Sequence, residues 1–459
     1  MPYNAGRTPR HTAVRAAAVS AMVILAGTAA AQWKSDVDAC ARASYAPDQR
    51  IEVCTRALAA AAISAVERSS SLNNRGVAYK AKGDLDSAIA DYDQAIALDS
   101  GFANAYNNRG AALGARGAFA AAIADFDKAI ELDSKMAQAY ANRGLAHGAQ
   151  GDIDAAIADF DLALQNDPQA ARVYRDRAAA WEAKSDLARA TADLTEAIRI
   201  SPTDEELFIA RGRLWDLQRN FVNSIADYDE AIRLNPKAAG AFNNRCNTWL
   251  QKERYSQAIA DCGEAVKLNP DLAPAHFNRG VAMGITGDVA GAMLEYGESI
   301  RLSPEFGAAY KSRGVLNYDA GKFGAAQSDL AMAVRQLPRD SYAAIWLYLA
   351  NARMDRAGDA VRDLERAAAQ LDGKVWPSPI IALLLGKADP GSVFQAAQQG
   401  DARSQADRQC EAAFYVGQWH VLRSEKAPAI RWLEDAQRDC RRSFAESVAA
   451  RAELDRLNR

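Results

Sequence analysis

Histidine and long apolar runs are scarce in this sequence, and neither sign of charge is in large excess. The 459 residues include four histidines, and 55 basic side chains stand against 58 acidic ones, for a net charge of −3. Binding to phosphate backbones needs a clustered positive excess, so this balance argues against nucleic acid as a partner. Beyond the N-terminal region no apolar stretch is long enough to cross a bilayer, and Ile380 to Leu385, for example, has only six residues. A polytopic membrane protein is therefore excluded.

Motifs of common active sites are also missing. The chain has no G-x-S-x-G, P-loop, G-x-G-x-x-G or H-E-x-x-H sequence. His147, His276 and His420 fall at positions of an internal repeat where packed side chains are expected, and the carboxylates recur with that repeat. We therefore expect no enzymatic activity, no cofactor and no metal site.

Residues 1–31 have the pattern of a cleavable signal peptide. Arg7, Arg10 and Arg15 are followed by the apolar run Ala16 to Ala31, which is short for a membrane span and ends in three alanines that suit signal peptidase. No cysteine ends this run, since the first is Cys40. We therefore expect an exported mature chain without a lipid anchor or a transmembrane segment.

A 34-residue repeat organises most of the chain. The segment that begins at Asn73 aligns with the one at Asn107, and the period continues through eight copies from about Ser69 to Pro338. Two stretches of helical periodicity in each copy are separated by a short turn that commonly contains glycine. Each repeat is therefore predicted to be a helical hairpin.

Small and large residues alternate between the two predicted helices. With Ser69 as position 1, glycine recurs at position 8, although a mid-helix glycine costs roughly 0.5 to 1 kcal/mol relative to alanine. Position 24 holds a bulky residue in most repeats, and positions 20 and 27 hold small ones. We therefore expect the missing Cβ atoms at position 8 to permit close contact between the helices of a hairpin.

This column pattern, with proline at position 32 of six repeats, resembles the tetratricopeptide repeat (TPR). The resemblance implies an all-α fold, a TPR α-solenoid in which antiparallel helix pairs form a right-handed superhelix, here with a C-terminal helical extension. It also implies that the first helices line a concave groove. One repeat cannot bury its apolar face alone, so stability comes from stacking neighbours.

The pattern also changes along the chain, and these changes predict its organisation. The expected segments are a signal peptide (1–31), an N-terminal capping helical hairpin (32–68), eight TPR repeats (69–340), a degenerate ninth hairpin (341–371), a linker with short helices (372–404), and a C-terminal TPR-like hairpin with a capping helix (405–459).

The C-terminal part contains "AAIWLYLANARMD", "IIALLLG" and "CEAAFYVGQWHVLRSEKAPAIRWLEDA". It resembles the C-terminal part of NlpI-type TPR lipoproteins, which are envelope adaptors that bring a periplasmic protease and peptidoglycan hydrolases together. This resemblance implies a periplasmic adaptor with protein partners in the cell envelope. The sequence differs from that family in having no lipobox and more repeats.

Six cysteines in an exported chain favour disulfides. Cys246 and Cys262 replace the small and large partners at positions 8 and 24 of one hairpin, which indicates a bond between them. By the same geometry Cys40 pairs with Cys54 in the capping hairpin, and Cys410 pairs with Cys440 at the open end of the last one. Metal binding has no C-x-x-C to support it, and free buried thiols are the other alternative.

Asparagine dominates position 6, on the helix face that should line the groove. A carboxamide offers donors and an acceptor, so one per repeat can pair with successive peptide groups of an extended segment. This arrangement resembles the asparagine ladder of peptide-binding TPR proteins. The alternative is that the side chain bonds a neighbouring helix backbone and supports the stack. The candidate groove residues are Asn74, Asn108, Asn142, Asn244 and Asn278.

Arginine occupies position 7 and a carboxylate occupies position 23 in all eight repeats. Equal numbers of opposite charges at fixed offsets predict a structural ladder of ion pairs, within or between repeats. The arginines are Arg75, Arg109, Arg143, Arg177, Arg211, Arg245, Arg279 and Arg313; the carboxylates are Asp91, Asp125, Asp159, Asp193, Asp227, Asp261, Glu295 and Asp329.

Together these features predict a noncatalytic periplasmic scaffold or adaptor that binds protein or extended peptide partners in its groove. Linking envelope proteases to peptidoglycan hydrolases is the role that the resemblance implies. Recognition of peptidoglycan, through its glycan or its stem peptide, is the alternative function. The sequence does not indicate an oligomeric state.

Overall fold

A computed structural model describes residues 32–42, 44–370, 375–440 and 445–458. These residues form 25 helices and no strands, and none of the helices is long and apolar enough to span a membrane. The expected signal peptide, 1–31, lies outside the described residues.

The helices follow one another with short connections. They are α1 (32–40), α2 (Pro47–Ala59), α3 (Ala65–Ala81), α4 (Leu85–Leu98), α5 (Ala103–Ala115), α6 (Phe119–Leu132), α7 (Ala137–Ala149), α8 (Ile153–Asn166), α9 (Ala171–Ala183), α10 (Leu187–Ile200), α11 (Glu205–Leu217), α12 (Phe221–Leu234), α13 (Ala239–Gln251), α14 (Tyr255–Leu268), α15 (Ala273–Thr286), α16 (Val289–Leu302), α17 (Gly307–Asp319), α18 (Phe323–Gln336), α19 (Ser341–Ala352), α20 (Ala357–Ala368), α21 (Ser378–Leu384), α22 (Pro390–Ala397), α23 (Ala402–Leu422), α24 (Lys426–Asp439) and α25 (Ala445–Leu457).

The chain divides into two compact units, Met1–Leu207 and Phe208–Arg459. The sequence-based organisation has no boundary at this point, which falls inside α11. The physical reason is that each repeat of a stack contacts mainly its neighbours, so a long array has no single core. Within the first unit, α3–α4, α5–α6 and α7–α8 form hairpins, and each hairpin packs against the next. The second unit repeats this arrangement with α13–α14, α15–α16 and α17–α18.

The turn inside each hairpin requires a left-handed backbone at position 15. Gly83 meets this requirement with a φ of 81°, a conformation that costs glycine little. Ser185, Arg219 and Glu253 occupy the same position in the fourth, fifth and sixth repeats, with φ values of 61°, 57° and 58°. The repeat geometry therefore overrides the local preference of these three residues.

Asparagine or aspartate then starts the second helix in several repeats. The side-chain Oδ1 of Asp84 accepts a hydrogen bond from the backbone N–H of Ser87 at 3.1 Å, and Asp152 does the same for Ala155. Such N-caps satisfy a backbone donor that the helix cannot pair itself. The turn and the cap together fix where the second helix begins.

Glycine at position 8 faces the large residue at position 24 across the hairpin. A Cβ built on Gly110 would lie 2.7 Å from Cε1 of Phe126 and 3.0 Å from the carbonyl oxygen of Ala122. The corresponding distance from Gly76 to Tyr92 Cε1 is 2.6 Å. Both rings are buried. The predicted interlock of small and large residues is therefore confirmed.

Three disulfides each close one hairpin. Cys40–Cys54 joins α1 to α2, Cys246–Cys262 joins α13 to α14, and Cys410–Cys440 joins α23 to the end of α24, with Cα–Cα distances of 4.7, 5.5 and 5.0 Å. These are the pairs that the repeat register predicts, and they leave no cysteine free.

An extensive apolar core organises the C-terminal part of the second unit. Tyr318 of α17, Trp346 of α19 and Phe414 of α23 belong to one buried cluster, and the Trp346 ring centroid lies 5.3 Å from that of Tyr318 and 5.5 Å from that of Phe414. The last helix, α25, packs on α17 and α23. Its Arg456 donates a 2.7 Å hydrogen bond to the backbone carbonyl of Asp319. The C-terminal helices therefore cover the first helix of the eighth repeat.

Two glycines of α5 offer a matched test of the interlock. We expect Gly110→Ala to lower stability by about 1 to 3 kcal/mol, because its Cβ overlaps the Phe126 ring and a backbone oxygen. Gly114→Ala should instead raise stability by up to about 1 kcal/mol, since its Cβ would lie 3.9 Å from Ala122 Cβ in ordinary contact. Thermal melting of both variants checks this, and equal shifts in Tm would contradict it.

The Cys246–Cys262 disulfide should be replaceable by the consensus pair. In Cys246→Gly/Cys262→Phe the ring fills the space between the helices, as Phe126 does against Gly110. We expect this variant to be more stable, by about 1 to 3 kcal/mol, than Cys246→Ser/Cys262→Ser, which lacks the bond and leaves a cavity. Both variants keep the other two disulfides, so the difference in Tm in the same oxidising buffer reports only on residues 246 and 262. If the Gly/Phe variant were the less stable one, a glycine and a phenylalanine could not replace this disulfide.

Candidate functional site

The arginines of position 7 form two-bond ion pairs with the carboxylates of position 23 in their own repeats. Arg143 donates from Nε to Oδ2 of Asp159 at 2.9 Å and from Nη2 to Oδ1 at 2.6 Å. Asp159 is buried, and hydrogen bonding to it raises the pKa of Arg143 above its ordinary value. The same two-bond pattern joins Arg75–Asp91, Arg109–Asp125, Arg177–Asp193, Arg211–Asp227, Arg245–Asp261 and Arg313–Asp329, and Arg279 bonds Glu295 through Nη2.

A third bond from these arginines connects neighbouring repeats. Nη1 of Arg143 donates to Oδ1 of Asp127, at position 25 of the preceding repeat, at 2.5 Å. Arg109 reaches Asp93 in the same way at 2.6 Å. The guanidinium of Arg143 also lies 5.6 Å from the centre of the Tyr140 ring, one helical turn earlier. Through these contacts the planar guanidinium group bonds carboxylates of two successive repeats.

The asparagines of position 6 also bridge repeats. Nδ2 of Asn108 donates to Oδ1 of Asn73 at 2.9 Å, and Nδ2 of Asn142 donates to Oδ1 of Asn107 at 2.9 Å. In the second unit Asn278 bonds Asn243 at 3.1 Å. The partner is thus a position-5 side chain of the preceding repeat, and not the helix backbone that the support hypothesis named.

The two remaining candidate asparagines have different partners. Oδ1 of Asn74 accepts a 3.2 Å hydrogen bond from Arg50 of α2, and Oδ1 of Asn244 accepts one of 3.3 Å from its neighbour Asn243. All five position-6 asparagines are half-buried, whereas Asn73 and Asn107 at position 5 are buried. Position 5 of these two repeats is therefore buried within the stack, next to the more exposed position 6.

Part of each bridging amide stays available. Among the described residues, nothing donates to Oδ1 of Asn108 or Asn142, and each Nδ2 uses one of its two hydrogens on its asparagine partner. In the same unit, burial and the positive charge of Arg172 on α9 lower the pKa of Lys80 on α3. Lys80 is therefore more easily deprotonated than an ordinary lysine.

A cavity of about 400 Å³ lies in the second unit, on the corresponding face of the seventh and eighth repeats. Val281 and Ile285 of α15 and Val315 of α17 supply part of its apolar lining. The carboxyl groups of Asp319, Glu411 and Glu446 line it as well, on α17, α23 and α25. The cavity is therefore both acidic and apolar.

Burial governs the ionisation of these carboxyl groups. It raises the pKa of Asp319 to about 8 and that of Glu446 to about 7, against the attraction of Arg456 for Asp319 and of Lys311 for Glu446. Burial also raises the pKa of Glu411 above its usual range. All three groups are therefore easier to protonate than ordinary carboxylates.

The sequence analysis did not identify this cavity. A signal exists at position 13, where Asp319 places a carboxyl group; the other seven repeats have Ala81, Ala115, Ala149, Ala183, Leu217, Gln251 and Ile285. What the sequence does not show is that α23 and α25 cover this position.

His276 and His420 lie in hydrogen-bonded surroundings. Nδ1 of His276 lies 2.8 Å from Oε2 of Glu295, and its Nε2 lies 3.0 Å from the carbonyl oxygen of Pro270. Nδ1 of His420 lies 2.6 Å from Oε2 of Glu425. Within the described ranges, no group of three or more histidine, cysteine or acidic residues could hold a metal ion.

Comparison with known proteins identifies the repeat. Residues 76–117 match the family model described as TPR repeat, and residues 103–136 and 137–169 match the one described as Tetratricopeptide repeat. None of the curated proteins is significantly similar to the chain. Residues 76–169 therefore carry TPR repeats, and the expected all-α fold of the TPR type is confirmed.

Several solved structures resemble parts of the chain. YrrB, described as a TPR protein with an unusual peptide-binding site, is 23% identical, with a TM-score of 0.36, over 40% of this chain and 95% of that one. The pilF protein of Pseudomonas aeruginosa is 17% identical, with a TM-score of 0.42, over 46% of this chain and 96% of that one. PilW, described as a type IV pilus biogenesis factor, is 17% identical, with a TM-score of 0.40, over 44% and 93%. These values are too low to transfer a function.

Substitution of Arg143 tests the ion-pair column. Arg143→Leu should lower stability by about 3 kcal/mol or more, because it leaves the buried carboxylate of Asp159 without its partner. Arg143→Lys should cost less, since it keeps the charge but loses the fork. The exposed pair Arg301–Glu298 is the control, and Arg301→Leu should change stability by less than about 1 kcal/mol. An unchanged Tm for Arg143→Leu would show that the pair does not support the stack.

Proposed function

We propose that the chain is a noncatalytic scaffold of the TPR type that binds a protein partner, through an extended segment, along the face of its first helices. The observation that carries the proposal is the regular series of half-buried carboxamides on that face. Asn108 and Asn142 stand at the same position of successive repeats, and each keeps an oxygen acceptor and a second N–H donor beyond the bond that it makes inside the protein.

The geometry of these amides suits an extended backbone. A peptide group needs both a donor and an acceptor, and a series of amides offers both at regular intervals with little dependence on the partner's side chains. The inter-repeat hydrogen bond orients each amide before a partner arrives, which reduces the entropy lost on binding. Support of the stack and binding are therefore compatible roles for one asparagine.

We further propose that this scaffold works in the periplasm. Three disulfides within the hairpins support an oxidising compartment, because such bonds persist outside the cytosol. The expected signal peptide agrees with this location. The similarity of the C-terminal sequence to NlpI-type adaptors suggests the role of bringing envelope proteases and peptidoglycan hydrolases together, and peptidoglycan itself is the alternative ligand.

Two matched double variants separate binding from support. Asn108→Ala/Asn142→Ala removes the amides on the face together with two inter-repeat hydrogen bonds. Asn73→Ala/Asn107→Ala removes the same two hydrogen bonds from the other side but keeps the amides on the face. We expect both variants to lower Tm, and only the first to lose partner proteins captured from a periplasmic extract.

The capture experiment also distinguishes the class of partner. Proteins that stay bound after the extract is treated with muramidase support the scaffold. Retention of the chain on purified sacculi, with no protein enriched, would instead support recognition of peptidoglycan as the function. Equal loss of partners from both double variants would show that the asparagines serve the stack alone.

A further inference from the structure

The cavity in the second unit is walled on one side by helices that lie outside the eight repeats. Its floor is made by α15 and α17, from positions 9, 12 and 13 of the seventh repeat and positions 5, 6, 9, 10 and 13 of the eighth. Trp346, Glu411 and Glu446 of α19, α23 and α25 complete it. Its volume of about 400 Å³ lies within the range of small-molecule sites, about 300 to 1,000 Å³.

The acidic groups of the cavity have little positive charge to balance them. Lys311 is the one basic residue among the described residues of the lining, and its Nζ donates to Oδ2 of Asp340 at 2.5 Å. Arg456, the nearest cation to Asp319, is engaged by the backbone carbonyl of Asp319 and by the carboxylate of Glu453. The described lining therefore holds three carboxyl groups against one lysine, and it becomes negatively charged as the pH rises through their pKa values.

One carboxyl oxygen in the cavity has no partner at all. Oδ1 of Asp319 is buried in the cavity wall and makes no hydrogen bond with any described residue. Its burial destabilises the carboxylate form, and a cation held beside the carboxyl group would offset that cost. The other two acids are oriented by the protein: Oε2 of Glu411 accepts from Tyr342 at 2.6 Å, and Oε1 of Glu446 accepts from Tyr415 at 2.9 Å.

The rest of the lining selects the kind of cation. Val281, Ile285, Val315 and Leu316 offer hydrocarbon surface, and Trp346 offers an aromatic side chain. A metal ion would need a shell of oxygen or nitrogen ligands, and no such cluster occurs in the described residues. An occupant with a charged head and an apolar stem would satisfy both parts of the wall.

We propose that this cavity binds the ammonium group of an alkylamine, with Asp319 as the principal acceptor and the apolar wall around the hydrocarbon stem. Two sources supply that chemistry: a free aliphatic amine, and the lysine side chain of a protein docked on this face. None of the position-6 asparagines lines this cavity. The test of this site therefore does not depend on the proposed scaffold function.

Ionisation gives the proposal a definite pH dependence. Burial raises the pKa of Asp319 to about 8, while Arg456 favours its ionisation and Glu446 and Glu453 oppose it. Glu446, which faces Glu411, Tyr415 and Lys311, has a pKa of about 7. An ammonium ion binds the carboxylate form, so binding must release protons below these values. The affinity should rise with pH by up to about tenfold per unit between pH 6 and pH 8.

Calorimetry on the full chain tests the site with three probes that share one stem: n-pentylamine, 1-pentanol and pentanoate. We expect pentylamine to bind, more tightly at pH 8 than at pH 6, with proton release seen as a buffer-dependent heat. Pentanol and pentanoate should not bind. Tighter binding of pentanoate at low pH would overturn the proposal, because protonated carboxyl groups would then be donors to an anion. Binding of none of the probes would overturn it as well.

Variants assign the interaction to the cavity. Asp319→Asn keeps the shape and removes the charge, and it should weaken pentylamine binding at least tenfold at pH 8 without lowering Tm. Glu298→Gln, an exposed carboxyl on α16 outside the lining, should leave the affinity unchanged. Equal effects of the two substitutions would refute a specific site. If an acetylated and amidated Ala-Lys-Ala peptide competes with pentylamine, the lysine source is favoured; if it does not, the free amine is.

Discussion

The contact between a glycine and a buried bulky residue, made in six of the eight repeat hairpins, is the constraint on which the rest of the structure depends. When a Cβ is missing at position 8, the ring at position 24 can lie directly against the backbone of the first helix, as Phe126 does against Gly110. The distance between the two helices is then set by one side chain. Within each unit this local contact brings the two helices of successive hairpins to a similar spacing, which favours regular stacking of neighbours.

The ion pairs between positions 7 and 23 add a second kind of constraint to the packing inside each hairpin. Packing holds a hairpin together, whereas the Arg143 guanidinium ties Asp159 of its own repeat to Asp127 of the one before. Buried ion pairs contribute modestly to net stability, but a displaced register leaves a carboxylate without its partner. The asparagine bridge from Asn142 to Asn107 has the same consequence with neutral groups. Specificity of stacking therefore comes from polar side chains, and cohesion comes from apolar ones.

The sequence predicts the repeat and its chemistry well because each depends on position within a period. The interlock of Gly76 with Tyr92 and the position of Cys246 opposite Cys262 follow from a single hairpin. The division of the chain inside α11 and the acidic cavity do not follow, since both depend on contacts between segments far apart in sequence. Asp319 belongs to its repeat by sequence, but its burial depends on α25, well over a hundred residues later. A repeating sequence pattern does not show which distant helix packs over a given residue of a repeat.

The disulfides have a mechanical consequence. Among the described residues each bond closes a loop within one hairpin, with sequence separations of 14, 16 and 30 between the paired cysteines, and none ties one hairpin to another. Under a pulling force the chain inside those loops cannot contribute to extension, while the interfaces between hairpins carry no covalent restraint. An oxidised molecule would therefore extend by separation of its hairpins, and the capping hairpin, the hairpin of the sixth repeat and the C-terminal hairpin would keep their cross-links after separating from their neighbours.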